Sequence, residues 1–222
     1  MTSALLFDLD GTLVDTDSLH FAVFHDILAG TGRALSLDEY KTEIMGQPNA
    51  LIMPRLFPGR DAEHQALADA KEAAFRAQLS AGLEPTPGTR RLLDWAEAEG
   101  VRVAVVTNAP RSNAEAMLGA LDLSHRFETV IIGEECARPK PDPLPYQEAM
   151  QRLGTTPSRS IAFEDSRSGA RAAVASGAYT FGMRTGLDDA TLRSVGVHAT
   201  LADFDDPLLW ARLAGFPERH AS

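Results

Sequence analysis

One cysteine, Cys136, is all that the 222 residues contain, so no disulfide can form within the chain. That scarcity suits a reducing compartment, the cytoplasm, and Cys136 itself reads as a small half-buried residue. No apolar run approaches the roughly 20 residues that a membrane-spanning helix needs, which leaves no membrane among the partners. The opening residues lack a basic flank, and their apolar stretch is too short for a secretory leader, so the mature chain is read as starting at Met1. Positive charge is scarce as well: 21 Lys and Arg face 31 Asp and Glu, for a formal net charge of -10, and no dense basic run offsets it. A long phosphate backbone would be repelled, so no nucleic acid is expected as a partner. A small phosphorylated metabolite stays open, because a local cation site overcomes a distant field. No G-x-x-x-x-G-K-S/T stretch is present, which sets aside P-loop chemistry.

Hydrophobic residues make up 44% of the chain, enough for one core with an inserted subdomain, or two small domains, without metals or disulfides to hold it. Short apolar runs at 4–9, 101–107, 129–132, 160–163 and 178–181 show no polar alternation, the pattern of strands buried on both faces. Helical patterns lie between them at 89–99, 112–121, 143–153 and 168–176. Strands separated by helices predict a doubly wound, Rossmann-like α/β core with a parallel sheet. Residues 18–79 break this rhythm, with helical periodicity and no convincing buried strand. Leu19, Val23, Ile27 and Leu28 share one apolar face there, and 66–79 is rich in strong helix formers. Gly82-Leu83-Glu84-Pro85-Thr86-Pro87-Gly88 then returns the chain to the α/β pattern as a hinge. The expected organisation is a discontinuous catalytic core, 1–15 with 84–222, and an inserted α-helical cap at 16–83.

Asp8 and Asp10 stand two apart at the end of the first strand run, where the strand period directs both carboxylates to one side. Like charges so close are costly unless a cation or a proton compensates. Elsewhere a D-x-D pair is a solvated loop feature; after a buried strand and before Gly11-Thr12 it marks a site, since ligands bind at strand carboxyl ends in open α/β sheets. Thr107-Asn108 ends the second run and offers a hydroxyl and backbone N–H groups to phosphoryl oxygens, or simply caps a helix. Lys140, inside Arg138-Pro139-Lys140-Pro141-Asp142-Pro143, is either aimed inward by stiff backbone or a surface lysine. Glu164-Asp165 brings carboxylates to a third strand end, and hard oxygen ligands of this kind suit Mg²⁺.

Taken in order, Asp8-Leu9-Asp10-Gly11-Thr12-Leu13-Val14-Asp15-Thr16, then Val106-Thr107-Asn108, then Lys140, then Glu164-Asp165-Ser166-Arg167-Ser168-Gly169 resemble the four motifs of the haloacid-dehalogenase superfamily. The resemblance spans essentially the whole chain, and is nearest to the helical-cap branch containing phosphoglycolate phosphatase and beta-phosphoglucomutase. It implies a phosphatase of a small phosphorylated metabolite, a sugar phosphate or a phosphoglycolate-like compound, acting as a monomer or homodimer. Asp8 would be the nucleophile and Asp10 the acid/base partner. Thr107, Asn108 and Lys140 would bind the phosphoryl group, and His20 on the first cap helix would approach the substrate or Asp10. Mg²⁺ would sit on Asp8, the Asp10 backbone carbonyl and Asp165, with Glu164 acting through water.

A signalling receiver domain also holds an aspartyl-phosphate, but its acidic pair precedes a separate mid-chain acceptor and it carries no cap. A phosphonoacetaldehyde hydrolase would use a cap lysine, whereas Lys41 and Lys71 read as surface lysines. A phosphomutase needs a cap cation for a second phosphate. The comparable stretch here, Gly46-Gln47-Pro48-Asn49, has none, which leaves Arg55, Arg60, Lys71 and Arg76 as the alternative sources.

Overall fold

The computed structural model describes residues 2–79 and 83–216. Its sheet is parallel throughout, in the order β3-β2-β1-β4-β5-β6, with β1 at Ala4–Phe7, β2 at Arg102–Thr107, β3 at Thr129–Ile132, β4 at Ser160–Glu164, β5 at Tyr179–Met183 and β6 at Ala199–Leu201. The central strand β1 pairs with β2 on one side and β4 on the other. The chain winds outward from β1 in both directions, so the carboxyl ends of β1, β2 and β4 meet at the point where the winding reverses, the usual ligand crevice of such sheets.

Alternation along β1 decides which helices cover which face. Leu5 and Phe7 point into a large cluster with helices α5 (Thr89–Ala98), α6 (Arg111–Ala120) and α10 (Pro207–Leu213), through Leu92, Met117 and Leu209 among others. In this layer Phe7 and Phe163 stack at 5.0 Å, and Phe204 closes edge-on at 5.7 Å from Phe7. Ala4 and Leu6 face the other way, against α7 (Leu144–Leu153) and α8 (Arg167–Ala175). The small residues Ala104, Ala162, Ala172 and Ala173 line that layer and let the helices lie close to the sheet.

Between β1 and α5 come α1 (Asp17–Ala29), a short α2 (Leu37–Glu39) running into a π-helical turn at Tyr40–Ile44, α3 (Asn49–Leu56) and α4 (His64–Gln78). This all-helical insertion has a cluster of its own around Phe24, Leu28, Tyr40, Ile44, Ile52 and Leu56. Among the described residues, no helix is long and apolar enough to cross a membrane.

The sequence reading differs from the fold in a few places. The first strand ends at Phe7 rather than at Leu9, because Leu9 O accepts the N–H groups of Thr12, Leu13 and Val14 and turns the chain out of the sheet. The edge strand β6, with α9 (Asp189–Ser194) and α10 beyond β5, went unread. A three-residue strand is too short to show as an apolar run. In the return segment, Gly82 lies outside the described residues. Thr86 is pinned to the turn after β1, its N–H donating to Leu13 O at 2.8 Å and its hydroxyl to Thr12 O at 2.6 Å.

Candidate active site

Asp8 is the first residue past β1 and is 7% exposed. Lys140, buried in the loop before α7, donates from Nζ to Asp8 Oδ1 at 2.7 Å, to Val106 O at 2.6 Å and to Glu164 Oε1 at 2.6 Å. Of its two sequence readings the inward one is therefore what the fold realises. Asn108 holds this loop in place: Lys140 N–H donates to Asn108 Oδ1 at 3.2 Å, and Asn108 Nδ2 donates to Lys140 O at 3.1 Å. The same Nδ2 reaches across to Gly46 O of the insertion at 3.1 Å. Thr107 is buried, and its Oγ1 accepts the Ala109 N–H at 2.9 Å, which leaves its own proton to donate into the cavity.

Asp8, Glu164 and Asp165 bring carboxylate oxygens within 4.8 Å of one another. Three buried carboxylates face one ammonium, and the imbalance shows at Asp8 and Asp165. Burial first, and the Glu164 charge second, push Asp8 up to about 7. Burial, then Asp8, lifts Asp165 well above the ordinary carboxylate range. Burial works against the Lys140 charge, but Asp8 and Glu164 outweigh it and raise the ammonium's pKa. Tyr146, whose hydroxyl donates to Glu164 Oε1 at 2.6 Å, helps fix that carboxylate. A hard-oxygen donor set that is short of positive charge fits a divalent cation such as Mg²⁺. Gly11 makes the approach possible, since at φ +72° a Cβ there would lie 2.2 Å from Asp165 Oδ2.

Asp10 belongs to a different environment. Its Oδ1 accepts from Thr16 Oγ1 at 2.6 Å and from His20 Nε2 at 3.0 Å. Burial raises its pKa, yet the hydrogen bonds from His20 and Thr16, with the Lys71 charge nearby, bring it below the ordinary value. His20, on α1, lies flat on Phe75 at 3.9 Å. Lys71 Nζ donates to His20 Nδ1 at 3.1 Å, so the ring proton sits on Nε2, facing Asp10.

Lys71 corrects the sequence reading, for it is not a surface lysine. It is 4% exposed, lies 4.9 Å from the Phe24 ring centre and pairs with Glu72 Oε1 at 2.9 Å. Glu72 is buried too, held by Asn49 Nδ2 at 2.7 Å and Asn113 Nδ2 at 2.5 Å. Thr16, Glu72, Asn113 and Tyr146 were missed as site residues. In sequence, Lys71-Glu72 inside a run of helix formers looks like a solvated face, and the apolar Phe75 four residues on is the main hint otherwise. Asp8, Asp10, His20, Thr107, Asn108, Lys140 and Asp165 all line one cavity of about 80 Å³ between the strand ends and the insertion. Glu164 sits behind it.

Residues 5–183 match the family model of the haloacid dehalogenase-like hydrolases. The chain belongs to that family. A phosphorylated carbohydrates phosphatase of Thermotoga maritima is 30% identical to it over 177 residues, covering 78% of this chain and 81% of its own length. The phosphoglycolate phosphatase of Rhodospirillum rubrum is 33% identical over 234 residues, covering 98% of this chain and 93% of its own. Among solved structures, a CbbY variant of Rhodobacter sphaeroides in complex with xylulose-(1,5)bisphosphate superposes with a TM-score of 0.80 at 27% identity, over 93% of this chain and 96% of that one. This haloacid dehalogenase-like chain is thus an enzyme, a hydrolase of the phosphoric monoester class. The resemblance read from its four motifs holds, and the receiver alternative falls.

Proposed function

We propose that this hydrolase removes phosphate from a small phosphorylated metabolite with the help of Mg²⁺, through a covalent phosphoryl group on Asp8. The observation that carries the reading is the split between Asp8 and Asp10. Two carboxylates two residues apart have opposite shifts, Asp8 raised by burial and Glu164, and Asp10 lowered by its bonds to His20 and Thr16. Carboxylates driven apart in this way suit different roles in one reaction.

Asp8 and Asp165 would hold the cation with the Asp10 backbone carbonyl, and Glu164 would act behind them through Lys140 and a water. When bound, Mg²⁺ supplies positive charge that keeps Asp8 ionised at neutral pH and draws phosphoryl charge toward the site. An Asp8 carboxylate oxygen attacks phosphorus, and the bond from phosphorus to the leaving oxygen breaks. Asp10, its proton affinity raised by the incoming phosphoryl charge, protonates that oxygen. In the second half, water attacks the phosphoryl group, Asp10 takes its proton, and the bond to Asp8 breaks to release phosphate. Lys140 and the Thr107 hydroxyl, with backbone N–H groups near Asn108, would steady the oxygens. The core is assigned to 1–15 and 84–222 and the cap to 16–83, with the protein working in the cytoplasm, as its single cysteine suits.

Hydrolysis is favoured over a mutase cycle because the four cap cations named above for a second phosphate already have partners. Arg55 pairs with Glu43 at 2.8 Å, Arg60 with Glu63 at 2.5 Å and Lys71 with Glu72 at 2.9 Å. Arg76 donates to Asn113 Oδ1 at 2.7 Å. The test is phosphate release from a panel of sugar phosphates and phosphoglycolate, with Mg²⁺ and after EDTA. Release that stops in EDTA and returns with Mg²⁺ is expected. Full activity in EDTA would refute the metal role, and conversion of a hexose 1-phosphate to its 6-phosphate faster than phosphate release would refute hydrolysis as the main reaction.

A further inference from the structure

The two ends of the cavity have different chemistry. Toward the strand ends stand Lys140, Thr107 and the acidic cluster described above. Toward the insertion stands Glu72, 6% exposed, with Lys71 and Asn49 donating to its Oε1 and Asn113 to its Oε2. Three donors fix this carboxylate and still leave acceptor capacity, since an ionised carboxylate offers about four lone-pair sites. On the same side Gln47 Oε1 is buried with no hydrogen-bond partner among the described residues. Phe24, Ile44 and Ile52 add apolar wall. Asn49, Glu72 and Asn108 also line a neighbouring cleft of about 650 Å³, together with Asp69 and Glu134.

Among the described residues, the cations at this end already have hydrogen-bond partners. Lys71 is held by Glu72 and His20, and Arg76 by Asn113 and by Ser112 Oγ at 3.0 Å. A group that rests here must therefore donate hydrogen bonds, carry no negative charge and offer C–H surface to the apolar wall. A carboxylate or a second phosphate offers only acceptors and charge of the same sign as Glu72. A chain or ring of hydroxyls meets all three demands, since hydroxyl protons suit Glu72 and Gln47 Oε1 and hydroxyl oxygens suit the amide N–H groups.

We propose that Glu72 is the specificity-determining residue of this site, selecting monophosphates whose leaving part is an uncharged polyol, a sugar or sugar alcohol, and turning away those that carry a carboxylate or second phosphate. The proposal rests on the phosphatase reading above and narrows it, setting phosphoglycolate-like compounds aside.

The experiment measures kcat/KM with Mg²⁺ for sorbitol 6-phosphate, glucose 6-phosphate, phosphoglycolate, fructose 1,6-bisphosphate and p-nitrophenyl phosphate, the last lacking both polyol and second charge. The wild-type protein is expected to favour the best polyol monophosphate over phosphoglycolate and the bisphosphate by at least about tenfold. Glu72→Gln is expected to shrink that ratio about tenfold or more; a ratio is used so that a general weakening cancels. Phosphoglycolate or the bisphosphate used as well as the polyol monophosphates would overturn the proposal. So would turnover of p-nitrophenyl phosphate with none of either polyol monophosphate, or a ratio unmoved in a folded Glu72→Gln protein. Should that variant fail to fold, the wild-type panel alone decides. No phosphate release from any compound, p-nitrophenyl phosphate included, would sink the phosphatase reading itself and this proposal with it.

Discussion

Lys140 sits among Asp8, Glu164 and the Val106 carbonyl with almost no water, so its charge holds two buried carboxylates in place. Lys140→Met keeps most of the volume and removes the charge. Breaking a buried ion pair from one side costs about 3–5 kcal/mol, and for a chain of this size that lowers the melting temperature by roughly 10 °C. The loss should shrink at low pH, where the abandoned Asp8 protonates. Thermal melts of the variant at pH 5 and pH 8 check this, and an equal loss at both would contradict it. Asp8, Asp10, Thr107, Asn108, Glu164 and Asp165 were legible because each lies at or just past a strand end, where sequence order and spatial position coincide. Lys71 and Glu72 were not, because only the packing of α4 against α1 turns that pair inward, through Phe24 and Phe75.

The helical insertion meets the core at Gly46. This glycine has φ +72°, and a Cβ on it would lie 2.3 Å from Ser166 Oγ, at the start of α8. Its carbonyl also accepts from Asn108 Nδ2. Gly46→Ala should hold the cap off the core and lower kcat/KM by about tenfold or more, equivalent to about 1.4 kcal/mol. The left-handed backbone adds roughly 1 kcal/mol of strain, so the melting temperature should fall by only a few degrees. Unchanged kcat/KM would show that cap contact at this point is not needed for turnover. At the scale of elements, the strands β1 to β5 and the helices between them could be read because each is an apolar or periodic segment. The π-helical turn at Tyr40–Ile44 and the edge strand β6 could not, since the first depends on Tyr40 packing beside Phe21 and donating to Asp17, and the second on β5 beside it.

Across the whole molecule, the acidic site couples stability to pH and to the metal. Asp8 and Asp165 have raised pKa values in the folded state, so folding retains protons there that the unfolded chain has already released. Stability from these groups is full below about pH 4 and is lost as pH rises through the folded value, about 7 for Asp8. Asp10, lowered, acts in the opposite sense, losing its contribution only as pH falls below the ordinary carboxylate range. Without metal the protein should therefore melt higher at pH 5 than at pH 8, and added Mg²⁺ should raise the melting temperature more at pH 8, where its ligands are ionised. A larger Mg²⁺ gain at pH 5 would contradict the assignment of Asp8 and Asp165 as its ligands. The most direct measurement is kcat of purified Asp8→Asn with saturating Mg²⁺ and substrate. The amide keeps the shape and relieves a crowded charge, so the variant should melt at or above the wild-type temperature while turnover falls by roughly a thousandfold or more. A folded Asp8→Asn protein turning over near the wild-type rate would contradict the covalent mechanism outright.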